Sequence, residues 1–443
     1  MLRDAPESSH TPTQWLSALV DHEVSSVGIS AGHIDGLSLE SCRAVLEALG
    51  CPDDALKIIH ITGTNGKGTV ARMCEALIAA SGLRVGCYLS PEGTLAERIR
   101  IDGEPIRSED LDDAIHCVRS AAEAIDHRIT AFEAMTLAAI AAFADAPVDV
   151  AVIEVGLLGR FDATNVVDGD VAVITNVGAD HTDFSSNWKH KIASEKAGII
   201  KSDSIAVIGD VDDEVYEVIA SEQCETMLRS GRDFRVDSEV AAIGGRFAQL
   251  ETHSGATYDV MIPMFGAHQA INAALALQAV ESLLGVAVSS DLVGQAFGSL
   301  RVPGRVELLA HEPLIIVDGA HNRDAASALG KTLSDSFMVV GSRIAVIGVM
   351  KGRDPVAFIS ALHQQFALDA LIAVPIDGPR GEPAEVIERA GEQLDLPVLV
   401  APSVERGLER AVQSADAHDV VIVTGSFRLV EPARLSVQRL MNA

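Results

Sequence analysis

Lys57-Ile58-Ile59-His60-Ile61-Thr62-Gly63-Thr64-Asn65-Gly66-Lys67-Gly68-Thr69 is the stretch on which the fold turns. Its apolar run, carried by Ile58, Ile59 and Ile61, stops at Gly63. A helical pattern of Val70, Met73, Cys74, Leu77 and Ile78 begins just past Lys67. The order is therefore strand, glycine loop, helix. Gly63, Gly66 and Gly68 let backbone N–H groups turn toward an anion, the helix N-terminus adds the positive end of its dipole, and Lys67 adds a full charge. Thr69 stands where a hydroxyl can reach a magnesium ion. The common phosphate-loop pattern has four residues between its first glycine and Gly-Lys, whereas here only Thr64 and Asn65 separate Gly63 from Gly66. Turn chemistry alone would explain the glycines, but not glycine, lysine and threonine together in this context.

The 443 residues suffice for two or three domains of roughly 100–200 residues each. A composition 48% hydrophobic but only 4% aromatic predicts a core of Ala, Val, Ile and Leu, as suits parallel strands under helices. The net charge of −29 argues against nucleic acid or an anionic membrane as partner, since both require a basic surface. An anionic ligand must then be met by a local positive pocket. The cysteines at 42, 51, 74, 87, 117 and 224 form no Cys-x-x-Cys pair, which suits a reducing cytosol and disfavours a zinc site. The opening residues lack an apolar signal core, and no run approaches the roughly 18 apolar residues of a membrane span. A cytoplasmic protein is expected.

Outward from the loop, residues 13–50 read as helical with glycine interruptions, and 84–89 as a second strand ending at Ser90-Pro91. Helices are expected at 108–125 and 130–144. Short apolar runs follow at 149–153, ending in Glu154, and at 171–174, ending in Thr175-Asn176. Polar groups just past the carboxyl ends of buried strands are where doubly wound sheets place their sites. The candidates for magnesium are thus Thr69, Ser90, Glu154 and the Asp180-His181 pair; a hard cation that takes one or two carboxylates suits Glu154. A solvent-facing strand end is the plainer reading of Glu154, and a hydrogen-bonded loop histidine that of His181. Residues 234–263 change to short alternating runs with Gly-Gly and Ser-Gly turns, predicting antiparallel strands appended to the main sheet. A boundary falls near Arg301-Val302-Pro303-Gly304-Arg305, beyond which strand and helix alternate again.

The motifs in sequence resemble the folylpolyglutamate synthase and dihydrofolate synthase family, the folate branch of the Mur-type amide ligases. The glycine loop is followed by Glu154-Val155-Gly156, Gly159-Arg160-Phe161-Asp162-Ala163-Thr164-Asn165, Asp180-His181-Thr182-Asp183 and Glu195-Lys196-Ala197-Gly198. Then come Gly266-Ala267-His268-Gln269-Ala270-Ile271-Asn272, Pro303-Gly304-Arg305, Asp318-Gly319-Ala320-His321-Asn322, Gly348-Val349-Met350-Lys351 and Thr424-Gly425-Ser426. The resemblance covers nearly the whole chain. It implies an α/β fold: an N-terminal P-loop-type doubly wound ATPase domain over 1–300, with the appended antiparallel strands, and a C-terminal Rossmann-like domain over 301–443.

It also implies ATP bound between the two domains. Lys67 and the amides of Gly63, Thr64, Asn65, Gly66 and Gly68 would hold phosphates. Thr69, Ser90 and Glu154 would hold one Mg²⁺, and Glu154 with His181 a second. Lys196 matches a lysine that the family carries as a carbamate, although sequence alone reads it as a helix-surface lysine. Asn272, Arg305, Asp318 and His321 match nucleotide contacts. Phe132 and Asp162 match the lining of a pterin pocket, by stacking and by a carboxylate facing ring N–H donors; helix core is the rival reading of Phe132. Ser426 is a candidate for the glutamate end.

The implied reaction is ATP-dependent addition of L-glutamate to dihydropteroate or to reduced folates already bearing glutamate, through an acyl phosphate, by a monomeric enzyme. A ligase of the same family with another carboxylate acceptor, or a nucleotide-binding regulator without catalysis, are the alternatives. Retention of Lys67, Glu154, His181 and Lys196 together speaks against the regulator. Two positions depart from the family pattern. Glu92-Gly93 stands where His-Leu is common after Ser-Pro, and Leu158 where a glycine is usual before Gly159-Arg160. Both concern the acceptor rather than the ATP chemistry.

Overall fold

The computed structural model describes residues 11–19, 38–90, 94–179 and 186–441. The first half is built on an eight-stranded sheet. Its spatial order is Glu104–Pro105, Ile99–Ile101, Val85–Tyr88, Val150–Glu154, Lys57–Thr62, Val171–Ile174, Ile205–Ile208 and Thr226–Arg229. The first two strands form an antiparallel edge and the remainder pair in parallel. The parallel strands Val150–Glu154 and Val171–Ile174 are buried along their whole length. Helices cover both faces of such a sheet, so its strands read as unbroken Val/Ile/Ala runs rather than alternating ones.

Side chains of the central strand Lys57–Thr62 point alternately to the two faces. Ile59 and Ile61 join the core beneath helices Lys67–Ala80 and His268–Leu284, while Ile58 joins the core beneath Ser108–Ala124 and Ala131–Asp145. This strand is flanked by Val150–Glu154 on one side and Val171–Ile174 on the other. The chain thus leaves the central strand in both directions, and the reversal opens a crevice at the carboxyl ends of the strands. The glycine loop lies there.

The antiparallel strands expected as an extension of the main sheet form a separate sheet. Arg235–Ala242, Gly245–Glu251 and Thr257–Ile262 pair only with one another, with Gly245–Glu251 in the middle. Their alternation explains this: Ala248, Leu250, Tyr258, Val260 and Ile262 bury one face in the core shared with helix His268–Leu284. A one-sided sheet packs on a helix more readily than it continues a two-sided parallel sheet.

After the expected boundary a six-stranded sheet runs in the order Glu307–His311, Leu314–Val317, Val420–Thr424, Arg343–Ile347, Ala370–Ala373 and Val398–Val400. Only the first strand is antiparallel. Separate apolar cores lie on its two faces. At the other end of the chain, the lead-in contributes helices Pro12–Ala18 and Glu40–Ala48, which pack on the helical face beside the glycine-loop strand. Among the described residues no helix is long and apolar enough to cross a membrane.

Candidate active site

Gly66 takes a left-handed conformation (φ 87°) and starts helix Lys67–Ala80 with no side chain capping it, so the first helical N–H groups have no side-chain acceptor. Gly63 is required for another reason: a Cβ there would lie 1.8 Å from Thr175 Oγ1. Residues 175–178, which crowd Gly63, also clamp the loop by hydrogen bonds. Thr64 N donates to Asn176 O (3.1 Å), Asn65 N to Asn176 Oδ1 (3.0 Å), and Gly178 N to Thr64 Oγ1 (2.9 Å). Asn65 O accepts from Thr175 Oγ1 (2.6 Å) and Asn176 Nδ2 (3.0 Å). Lys67 folds back so that Nζ donates to Gly63 O at 3.2 Å. Asn272 presses on the loop from the neighbouring helix, its Oδ1 2.7 Å from where a Cβ on Gly66 would stand.

Glu154 ends the strand next to the loop strand and is 3% exposed, not the solvent-facing strand end that is its plainer reading. Ser90 donates to both carboxylate oxygens, from N (3.0 Å) and from Oγ (2.8 Å). Among the described residues no cation pairs with this carboxylate. A buried anion without a counter-charge is costly, and with the buried Thr69 hydroxyl at the start of the loop helix it makes a donor set of hard oxygens suited to a divalent cation. His181 and the Glu92-Gly93 departure lie outside the described residues.

Lys196 is not a surface lysine: at the end of helix Trp188–Ala197 it is 4% exposed. The loop after Glu154 covers it. Arg160 N donates to Glu195 O at 2.8 Å, and a Cβ on Gly159 would lie 2.7 Å from that carbonyl and 3.1 Å from Lys196 Cα. Burial, helped by repulsion from Lys67 and opposed by Asp162, pushes the Lys196 amine well below the usual lysine range.

Phe132 touches the same loop, since a Cβ on Gly156 would lie 2.3 Å from its ring. Arg98 sits between the Phe132 and Tyr88 rings, 5.6 and 5.5 Å from their centroids. Asp162 is 7% exposed and largely occupied by the protein: Oδ1 accepts from Thr164 N (3.0 Å) and Thr164 Oγ1 (2.5 Å), and Oδ2 from Leu157 N (2.7 Å). Burial pushes its carboxyl up against these hydrogen bonds. Leu158 has φ 58°, the left-handed region in which glycine is at ease, while its side chain is buried with Ile192 and its carbonyl accepts from Thr62 Oγ1 at 2.5 Å.

The second sheet presents its own carboxyl ends. Asp318 accepts from Val306 N (2.9 Å) and Ala320 N (2.8 Å), fastening the 303–306 linker. Burial raises its carboxyl, with Arg305 and these amides opposing. The Arg305 guanidinium lies 4.5 Å from the Phe427 ring centroid. His321 Nδ1 is 3.0 Å from Gly319 O, so Nδ1 carries the proton when the ring is neutral. Ser426, 4% exposed, accepts from Arg428 N at 3.3 Å and caps a short turn.

The two halves meet where Asn65, expected at the phosphates, is reached by residues that the sequence did not single out as site residues. Asn322 Nδ2 donates to Asn65 Oδ1 at 2.9 Å, and a Cβ on Gly178 would be 2.8 Å from Asp324 Oδ2. Asn176, His60 and Thr164 were likewise not chosen. Asn176 and Asn322 carried a signal, the polar position just past a strand or just before a helix, and Thr164 lies in the 159–165 motif; His60 carried none. A separate cleft of about 760 Å³, lined by Arg43, Arg160, Phe161 and Lys201 among others, holds none of the predicted site residues.

Two family models match the chain: the Mur ligase middle domain over residues 61–280 and the Mur ligase glutamate ligase domain over 304–427. The dihydrofolate synthase/folylpolyglutamate synthase of Mycobacterium tuberculosis H37Rv is 38% identical over 385 residues, 80% of this chain and 78% of that protein. Escherichia coli FolC in complex with DHPP and ADP superposes with TM-score 0.85 at 31% identity, covering 99% and 100% of the two chains. A bifunctional folylpolyglutamate synthase/dihydrofolate synthase with Mn, AMPPNP and L-glutamate bound gives TM-score 0.82 at 30% identity, covering 98% and 100%.

Proposed function

This chain belongs to the folylpolyglutamate synthase/dihydrofolate synthase family of the Mur ligases, and from that premise we propose that it joins L-glutamate to dihydropteroate, to glutamylated reduced folates, or to both, at the expense of ATP. A carboxylate is a poor electrophile. The acceptor's carboxylate oxygen therefore attacks the γ-phosphorus of ATP, ADP leaves, and an acyl phosphate results. The neutral amine of glutamate attacks that carbonyl, and phosphate departs as the amide forms.

We take residues 1–300 as a P-loop-type ATPase domain and 301–443 as a Rossmann-like domain. The uncapped start of helix Lys67–Ala80, with the amides of Gly66 and Gly68 and Lys67, binds the phosphates of ATP and holds the γ-phosphoryl group in line with the acceptor; the Thr64 and Asn65 amides, expected from the sequence to join them, instead donate to Asn176 and shape the loop. Thr69, Ser90 and Glu154 would hold one Mg²⁺, and Glu154 with His181 a second. The metal supplies neutralisation of charge on the transferring phosphoryl group. Asn272, Arg305, Asp318 and His321 act on the nucleotide, Arg305 as a cation toward the phosphoryl oxygens. Phe132 and Asp162 receive the pterin, and Ser426 the glutamate. Lys196 is proposed to carry a carbamate: an amine held neutral by burial can add CO₂, and the resulting anion would sit near the metals.

The observation that carries this reading is the buried Glu154 carboxylate, held by Ser90 on the strand beside the glycine loop and without a cationic partner among the described residues. The test is glutamate-dependent ADP release with dihydropteroate and with reduced folates in turn. Turnover is expected with at least one, and failure with all would refute the acceptor class. Lys67→Ala should lower kcat on the order of 100-fold or more, as removal of one transition-state donor does elsewhere.

A further inference from the structure

His60 is out of place. It is the only polar side chain between Lys57 and Thr62, and it is fully buried beside Ile58. Burial depresses its pKa to about 3, so the ring is neutral. Among the described residues its Nδ1 has no hydrogen-bond partner, a cost that valine or isoleucine in the same strand would not incur. Its other nitrogen, Nε2, lies 3.0 Å from Thr164 Oγ1.

The proton inventory fixes the direction of this contact. Thr164 has one hydroxyl hydrogen, and Asp162 Oδ1 takes it at 2.5 Å, next to the hydrogen bond it accepts from Thr164 N at 3.0 Å. Thr164 Oγ1 can then only accept from His60, so His60 carries its proton on Nε2. The chain of donation runs from the strand under the glycine loop, through Thr164, to Asp162. Those two bonds occupy both lone pairs of Oδ1. Oδ2 accepts from Leu157 N at 2.7 Å, and the Gly156 N–H also lies against the carboxyl, so the Thr164 hydroxyl and these backbone donors together fix its orientation.

We propose that His60 is a positioning residue for the acceptor: its Nε2–H orients the Thr164 hydroxyl onto Asp162 Oδ1, and so turns Asp162 Oδ2 toward a ring N–H donor of the pterin. The inference rests on the reading of Asp162 as an acceptor contact. His60 itself does not touch substrate. Its influence is carried by the orientation of one hydroxyl and one carboxylate.

The experiment compares His60→Leu, His60→Gln and Asp162→Asn in the full-length enzyme, measuring KM for dihydropteroate, KM for ATP and kcat. ¹⁵N-histidine NMR of the parent protein reads the tautomer. Glutamine can place a donor where Nε2 stands, and leucine cannot. His60→Leu should raise the acceptor KM about five- to tenfold with the ATP KM within about twofold, and His60→Gln should restore it to within about twofold of the parent. The NMR signal should report Nε2–H. Equal loss in both His60 variants, an unchanged acceptor KM in His60→Leu, or an Nδ1–H tautomer would overturn the proposal. The tautomer needs no variant to fold. An unchanged acceptor KM in Asp162→Asn would instead overturn the reading of Asp162, separately from the orientation of the His60–Thr164 pair.

Discussion

Asn322 is one of the residues that join the two halves, through a side-chain amide whose two ends can be tested apart. Oδ1 accepts from Ala325 N at 2.9 Å and caps helix Arg323–Ser336; Nδ2 donates to Asn65 Oδ1 at 2.9 Å. Serine caps a helix about as well as asparagine but cannot span to Asn65, so Asn322→Ser removes the bridge and keeps the cap. Asn322→Ala removes both. A neutral hydrogen bond contributes about 1 kcal/mol net, and a lost cap costs about 1 kcal/mol. The bridge exists only when the second half sits on the glycine loop. Its loss should therefore weaken binding of a non-hydrolysable ATP analogue about fivefold, since about 1 kcal/mol at RT of about 0.6 kcal/mol is a factor near five. Asn322→Ser should unfold thermally at the parent temperature to within a degree or so, whereas Asn322→Ala should lose about 1 kcal/mol of stability as well. Calorimetric titration and thermal unfolding of the three proteins give both quantities. Parental nucleotide affinity in Asn322→Ser, with loss only in Asn322→Ala, would show that the cap matters and the bridge does not.

Lys196→Arg, which forms no carbamate, should lose on the order of 100-fold in kcat. A carbamate carbon resonance after incubation of the parent with ¹³C-bicarbonate should be absent from that variant; full activity without the resonance would remove the carbamate. Acid should destabilise the protein through His60. Its folded pKa of about 3 lies below the unfolded value of 6.5, so the unfolded chain binds the extra proton, and stability falls as pH drops from about 6.5 toward 3. Between pH 6.5 and 4.5 that is roughly 2.3 kcal/mol, and denaturant titrations of parent and His60→Gln should differ by about that amount over the interval. At Leu158, glycine would relieve about 1–2 kcal/mol of left-handed backbone cost but forfeit the roughly 2–3 kcal/mol of a buried leucine and add unfolded-state entropy. Leu158→Gly should therefore unfold about 1–2 kcal/mol more easily, and a higher midpoint would show that strain outweighs packing there.

What could be read in the sequence was what is local. Glycine loop, strand-end carboxylate and the restart of alternation after residue 300 each need only a few neighbouring residues, and each is where periodicity and turn chemistry put it. The separate three-stranded sheet was not legible as separate. Alternation announces strands, but whether they extend a sheet or form their own depends on which helix receives Ala248, Leu250 and Val260, a contact far along the chain. Lys196 failed in the same way. Its helix buries only a short face of Ile192, Ala193, Lys196 and Ala197, and the lysine is sealed by Gly159 and Arg160, about 36 residues earlier, closing over it.

The residues sequence reasoning passed over share one property: each acts on another residue of the protein rather than on a ligand. Asn176 shapes the loop through Asn65, Asn322 reaches that same residue from the other half, and His60 reaches Asp162 through Thr164. Asn65 is thus tied on three sides, through its N–H, its carbonyl and its side chain. A loop fastened so completely needs little rearrangement to receive a phosphate, and the amide that fastens it from the second half is the one a moving half would release. The second half thus reaches the glycine loop at Asn65, which the compressed spacing between Gly63 and Gly66 puts at the middle of the turn.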